Sequence, residues 1–182
     1  ARRTLRIDEH TPKSLADTFA LNLVIARADA IVITVKLLRD EPAFSYAPGA
    51  PGPLAPAVAA YRASLGRAET PWLVILTRGA GLPFEHPVFR DGHTRPLIYT
   101  SARSVEELRR VAPCEVLGSE EQVSLAGVVT ALHARGARTL SFEAGPSTTR
   151  ELYTGSPPLV DELCVSTYRG TALRPEQLAE AA

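Results

Sequence analysis

Small-residue turns that follow apolar runs carry the densest chemistry in this chain. Phe142-Glu143-Ala144-Gly145-Pro146-Ser147-Thr148-Thr149 is one such turn. A tight turn between a buried strand and a helix leaves backbone N–H groups free at the positive end of the helix dipole. That arrangement suits a phosphate or pyrophosphate. Gly145 lets the backbone approach an anion, and Ser147 or Thr148 adds a hydroxyl donor. The same residues also make a plain Ser/Thr-capped turn. The three spaced glycines of the dinucleotide fingerprint are missing. Glu143 closes the apolar run, either as a ligand contact or as a carboxylate bonded to nearby amides. In a second turn, Thr77-Arg78-Gly79, the Arg78 guanidinium is suited to a cofactor 2′-phosphate. In a third segment, Thr34 to Pro42, Lys36 and Arg39 stand beside Asp40 and Glu41, and local ion pairing is the simplest arrangement.

Other reactive residues lack the spacing that chemistry needs. His10, His86, His93 and His133 have no second histidine or cysteine at metal spacing, so structural or exposed roles are expected. Cys114 and Cys164 lie far apart in apolar company, as two buried thiols of a reducing compartment. Ser101 and Ser147 are not set in a nucleophile elbow.

The elements that hold these turns follow from periodicity. Residues 14–27 form a helix with Leu15, Phe19, Leu23 and Ala26 on one face, opened by Ser14 and Asp17. Strands are expected at Ala30–Val35, Trp72–Thr77, Pro96–Thr100, Cys114–Leu117 and Thr139–Glu143. The segment after the first strand runs into a proline-rich loop over 42–56, then a short helix over 54–66. A capping box at Ser104 to Glu107 opens a helix through Arg110. Residues 122–135 make the clearest helix, ended by Gly136, and a further helix spans about 147–154. Leu163, Val165 and Thr167 alternate as a last strand. Strands alternating with helices imply a three-layer α/β/α fold around a mostly parallel sheet, with ligands at the carboxyl ends of its strands.

Composition excludes several classes. The 182 residues are 45% hydrophobic and 22% charged, enough to build a core. The 20 basic and 20 acidic residues cancel, so no basic field holds nucleic acid or an anionic membrane. No apolar run approaches the roughly 18 residues of a membrane span.

Residues 122–170 resemble the C-terminal part of the pyrimidine reductases of riboflavin biosynthesis, whose domain is dihydrofolate-reductase-like. There a strand ends in Glu-Gly-Gly-Pro-Thr, a helix follows, and Leu-x-Asp-Glu-Leu comes next. Here these are Glu143-Ala144-Gly145-Pro146-Ser147 and Leu159-Val160-Asp161-Glu162-Leu163. Upstream, RADAIVITVKLLRDEP, WLVILTRGAGLP and PLIYTS resemble the family's earlier strands, and the likeness runs from about residue 14 to 171. It implies one reductase-like domain over 1–182, without the family's first strand and closing strands.

The resemblance also implies that NADPH gives hydride to the ribosyl C1′ of a ribosylamino-pyrimidine phosphate. By that match Gly145, Pro146, Ser147 and Thr148 hold the pyrophosphate, and Glu143 lies at the substrate. Lys36, Asp40, Thr77 and Arg78 also contact cofactor. Hydride transfer asks mainly for positioning, so no catalytic side chain is assigned. A homodimer acting on a small molecule in the cytoplasm is the corresponding expectation, with no metal. Ala144 and Val35 replace family glycines, and Lys36 replaces a threonine. These changes suit an alternative, a non-catalytic relative that binds a nucleotide or dimerises. Pterin reduction is a further, weaker reading.

Overall fold

The computed structural model describes residues 14–49, 52–118 and 121–167. The apolar, β-branched runs form five strands: β1 (Ala30–Thr34), β2 (Trp72–Leu76), β3 (Arg95–Tyr99), β4 (Glu115–Leu117) and β5 (Leu140–Glu143). They lie in the order β4-β3-β2-β1-β5, and every pairing is parallel. Six helices join them: α1 (Leu15–Arg27), α2 (Val35–Asp40), α3 (Ala55–Ser64), α4 (Ala102–Val111), α5 (Leu125–His133) and α6 (Pro146–Thr154). Among the described residues no helix is long and apolar enough to cross a membrane.

The strands read as nearly continuous apolar runs because both faces of the sheet are covered. On one face Ile31, Ile33, Leu73 and Ile75 pack against Ile25 of α1, Leu38 of α2 and Tyr46. Ile98 and Val116 continue that face against Val105 and Leu108 of α4. On the other, Val32, Val74, Leu76 and Leu97 meet Leu125, Val128 and Leu132 of α5 and Leu152 of α6. The α/β/α layering matches the sequence reading. The topology explains the division: β1 to β4 step one way across the sheet, and the chain then returns past β1 to lay down β5. Right-handed crossovers therefore send α4 and α5 to opposite faces.

Several boundaries differ from expectation for local reasons. The segment after β1, given no element by periodicity, is helical: Thr34 Oγ1 accepts the Leu37 N–H at 3.4 Å, and this cap starts α2. Ser101, not Ser104, stands at the N-cap of α4, so that helix begins at Ala102. α5 begins at Leu125 because Ser124 Oγ accepts the Gly127 N–H at 3.0 Å. Gly136 follows at φ +84°, as expected of a helix-ending glycine. The alternating residues 163–167 form no strand: Leu163 and Val165 are 64% and 66% exposed, with no layer to bury them. That segment is tied to α1 by side chains, with Arg27 paired to Glu162 at 2.9 Å and Ser166 bonded to Asp17. Cys164 is correspondingly exposed, while Cys114 is half-buried and its thiol is pushed up to about 11 by burial.

The amino ends of the strands converge on Asp29. Its carboxylate accepts the N–H groups of Arg138 and Thr139 at 2.8 and 3.0 Å, just before β5. It also pairs with Arg67 at 2.8 Å, and Arg67 bonds Thr139 Oγ1. Burial alone would raise this carboxyl, but the two amides and the guanidinium together hold it below its usual value of 3.8. A depressed carboxyl stabilises the fold above its unfolded pKa, and that contribution disappears as pH falls through the folded one. Asp29→Ala is expected to cost about 2–4 kcal/mol at neutral pH by urea denaturation. The deficit relative to the native chain should shrink as pH falls below about 3.8.

Candidate functional site

The register levels the carboxyl ends of all five strands. Glu143 lies beside Ile33, Thr34 beside Leu76, Leu76 beside Tyr99, and Tyr99 beside Leu117. From this edge β1 turns into α2 on one face, and β5 turns into α6 on the other. Connections that leave neighbouring strands in opposite directions open a crevice between them, which is where α/β sheets bind ligands.

One part of the edge is carboxyl-lined. Glu143 accepts a hydrogen bond from Ser141 Oγ at 2.6 Å. Burial raises its carboxyl above the usual range, and the Ser141 bond only partly offsets this. Glu41, at the C-cap of α2, accepts from the Tyr46 hydroxyl at 3.4 Å. Burial raises Glu41 too; the Tyr46 bond opposes the rise, while the charges of Asp40 and Glu143 add to it. Tyr46 is buried, and its phenol is pushed up by burial and by the same two glutamates. Two desolvated carboxyls that feel one another resist ionising together, so this cluster retains protons that exposed carboxyls would lose.

His86 fixes the cluster from behind. Its Nδ1 accepts the Val88 N–H at 3.3 Å, which leaves the proton on Nε2 to donate to the Glu41 carbonyl at 3.1 Å. The structural role expected for this histidine is thereby given a partner. Neither Glu41 as a buried acid nor Tyr46 was singled out from sequence. The available signal was a carboxylate just before Pro42, followed by an aromatic in a proline-rich stretch.

The ends of β2 and β3 are hydroxyl-lined and basic. Thr77 is buried; its N–H donates to the Tyr99 carbonyl and its Oγ1 accepts from Gly79 N–H, both at 3.1 Å. Arg78 stays exposed. Gly79 has φ +106°, and a Cβ there would come within 2.5 Å of Ser104 Oγ, so the turn lies directly on the first turn of α4. Thr100 and Ser101 are 1% and 4% exposed, yet neither hydroxyl has a partner among the described residues. Ser101 stands at the N-cap of α4 without capping it. Buried hydroxyls at a helix N-terminus beside an arginine are donors waiting for acceptors. These two hydroxyls were missed by the sequence reading, which had considered Ser101 only as a nucleophile.

The other expected residues share the edge with different degrees of freedom. Lys36 and Asp40 are exposed on α2 and pair with each other one helical turn apart. Arg39, expected to pair locally, packs its guanidinium over Gly81. Helix α6 begins at Pro146, one residue earlier than expected, with Gly145 at its N-cap and no side-chain cap. Thr148 and Thr149 N–H groups both bond the Gly145 carbonyl at 3.0 and 3.1 Å. Proline has no N–H, so the first helical position of this turn offers no amide, and Ser147 at the second lies among the amides without an intrahelical acceptor. A Cβ on Gly145 would meet nothing within 4 Å, so the space in front of the turn is open.

A family model described as the RibD C-terminal domain matches residues 6–168. No curated protein matches the chain.

The raised carboxyls carry a stability consequence of opposite sign to Asp29. An acid whose folded pKa lies above its unfolded value costs stability once pH rises through the folded pKa, and costs nothing below the usual 4.5. Glu143→Gln retains an acceptor for Ser141 and removes the charge. It should be more stable than the native chain at pH 7, by on the order of 1 kcal/mol or about 2–4 °C in Tm. In thermal melts the two should converge at pH 4.

Proposed function

The chain belongs to the RibD C-terminal domain family, a reductase-like domain of riboflavin biosynthesis, and on that premise we propose that it reduces a ribosylamino-pyrimidine phosphate with NADPH. The observation that carries the reading is the division of one sheet edge. The end of β2, where Arg78 is exposed beside the Gly79 turn, suits a phosphate-bearing cofactor, and the carboxyl-lined part suits a polar substrate.

The residues fit the cofactor by their chemistry. The exposed guanidinium of Arg78 offers charge-assisted donors for a 2′-phosphate. The open face of Gly145 and the Ser147 N–H admit a pyrophosphate beside Pro146 and Thr148. Thr77 closes β2 between these groups, and Lys36 and Asp40 present a charged pair from α2. When bound, NADPH supplies the hydride. Reduction also consumes a proton, and the half-buried carboxyl of Glu143, raised above its usual range by burial, would be the acid placed to supply it in the same crevice. Glu41 and Tyr46 lie close enough to feel the charge of Glu143.

A second reading, a non-catalytic nucleotide-binding relative, is favoured by one observation. A six-residue helix with Lys36 and Asp40 engaged in a mutual pair stands where the family has a glycine-threonine loop.

Fluorescence titration with NADPH and NADH tests both readings. Arg78→Ala should weaken NADPH by about 1.5–3 kcal/mol and leave NADH nearly unchanged. Equal loss for both would place Arg78 at a shared group or in the fold. Loss of NADPH absorbance with a ribosylamino-pyrimidine phosphate supports the reductase. Binding without turnover supports the second reading, and no binding of either nucleotide overturns both.

A further inference from the structure

At the opposite end of the sheet, a second polar site surrounds the amino ends of the strands. A cavity of about 150 Å³ is lined there by Asp29, Arg62, Trp72, Arg95 and Arg135. Its charge does not balance. The Asp29 carboxylate already serves Arg67 and two backbone amides. Arg135 pairs outward with Glu115, at 2.5 Å. Arg95 has no carboxylate partner among the described residues, and its guanidinium stacks on Trp72 at 4.3 Å from the ring centre.

Arg62 is the more telling group. It is only 2% exposed, and it reaches from α3 under α1. Its Nε donates to the Ala68 carbonyl at 2.6 Å, and Nη1 donates to the carbonyls of Ala26 and Ala28 at 3.0 and 2.6 Å. Three carbonyls hold the guanidinium in place but do not neutralise it. Its Nη2 has no partner at all among the described residues, and Arg67 Nε nearby is likewise unbonded. Burial lowers the Arg62 pKa, and the like charges of Arg67 and Arg95 lower it further against the pull of Asp29. A buried guanidinium with one nitrogen unbonded and more cationic than anionic neighbours is costly until a further counter-charge arrives.

We propose that this arginine-lined cavity binds a small tetrahedral oxyanion, a phosphate group, at a site separate from the carboxyl-end crevice. Arginine suits that ligand because its planar fork matches phosphate oxygens with paired donors. The cavity is well below the roughly 300–1,000 Å³ of sites that enclose a drug-sized ligand. It therefore suits free phosphate or the terminal phosphate of a larger molecule, not a whole nucleotide.

The test is calorimetric titration of the full chain with inorganic phosphate and with glycerol phosphate, at constant ionic strength set with chloride. Saturable binding of inorganic phosphate is expected, weakened about tenfold or more in Arg95→Gln and in Arg135→Gln, and retained in Arg78→Ala. Both arginines are surface groups, and circular dichroism checks that each variant keeps the native fold. Equal binding of glycerol phosphate assigns the site to a terminal phosphate, and selective binding of inorganic phosphate assigns it to the free ion. Absence of saturable binding in the millimolar range overturns the proposal. So does binding that survives both substitutions but is lost in Arg78→Ala, since that places the phosphate in the cofactor part of the crevice.

Discussion

The carboxylate of Asp29 joins the first strand to the last across more than a hundred residues of sequence. β5 is laid down after the chain has crossed the sheet to β4 and returned, so its alignment with β1 is the least local pairing in the fold. Parallel neighbours share no hairpin to set register. Asp29 supplies that register by accepting the amides of Arg138 and Thr139, two residues and one residue before β5. With those bonds in place, Glu143 falls opposite Ile33. A slip of one residue would turn Phe142 and Glu143 to opposite faces and dismantle the crevice. The geometry of the carboxyl end is therefore decided at the amino end, some four residues away along each strand.

The two ends of the sheet differ in sign. At the carboxyl end, Glu41 and Glu143 are desolvated and raised; at the amino end, Arg62, Arg67 and Arg95 crowd around one occupied carboxylate. Neither arrangement serves stability. A buried glutamate that resists ionising and a buried arginine nitrogen without an acceptor both cost free energy in the bare chain. In each case the surrounding backbone is well bonded, so the cost is confined to groups that face a crevice or cavity. That pattern is what both the proposed crevice and the proposed anion site are built on.

Sequence periodicity carried the architecture well where an apolar face and a breaker agreed. Val128 and Leu132 with Gly136, and the β-branched run from Ala30, left one reading each. It failed where tertiary context overrode pattern. Leu163, Val165 and Thr167 alternate like a strand, but alternation needs a layer to bury one side and a ladder to join, and among the described residues neither is present there. Val35 to Asp40 is too short for periodicity to mark; Thr34 as a cap and Leu38 as a buried anchor make it a helix. In the site, Glu143 and the Gly145 turn were visible from local motif. Thr100, Ser101 and the Glu41–Tyr46 contact were not. Their significance lies in burial and in missing partners, which no spacing rule records.

The helix after β1 also redistributes recognition within the site. A glycine loop presents backbone amides to a ligand, whereas α2 spends the Leu37 amide on Thr34 and engages Lys36 with Asp40. Proline at the first position of α6 removes another amide, and Thr148 donates back to Gly145. Two of the three turns along this edge have thus lost backbone donors that a phosphate would use. What remains is weighted toward β2 and β3, where Gly79 allows the Arg78 turn to lie against α4 and leaves Ser101 uncapped. Affinity for a phosphate-bearing ligand then depends on side-chain donors, which discriminate by charge and position, more than on a backbone cradle, which accepts any phosphate. On the proposed reading, the one feature that separates NADPH from NADH, a 2′-phosphate, would meet the side of the edge where Arg78 is exposed.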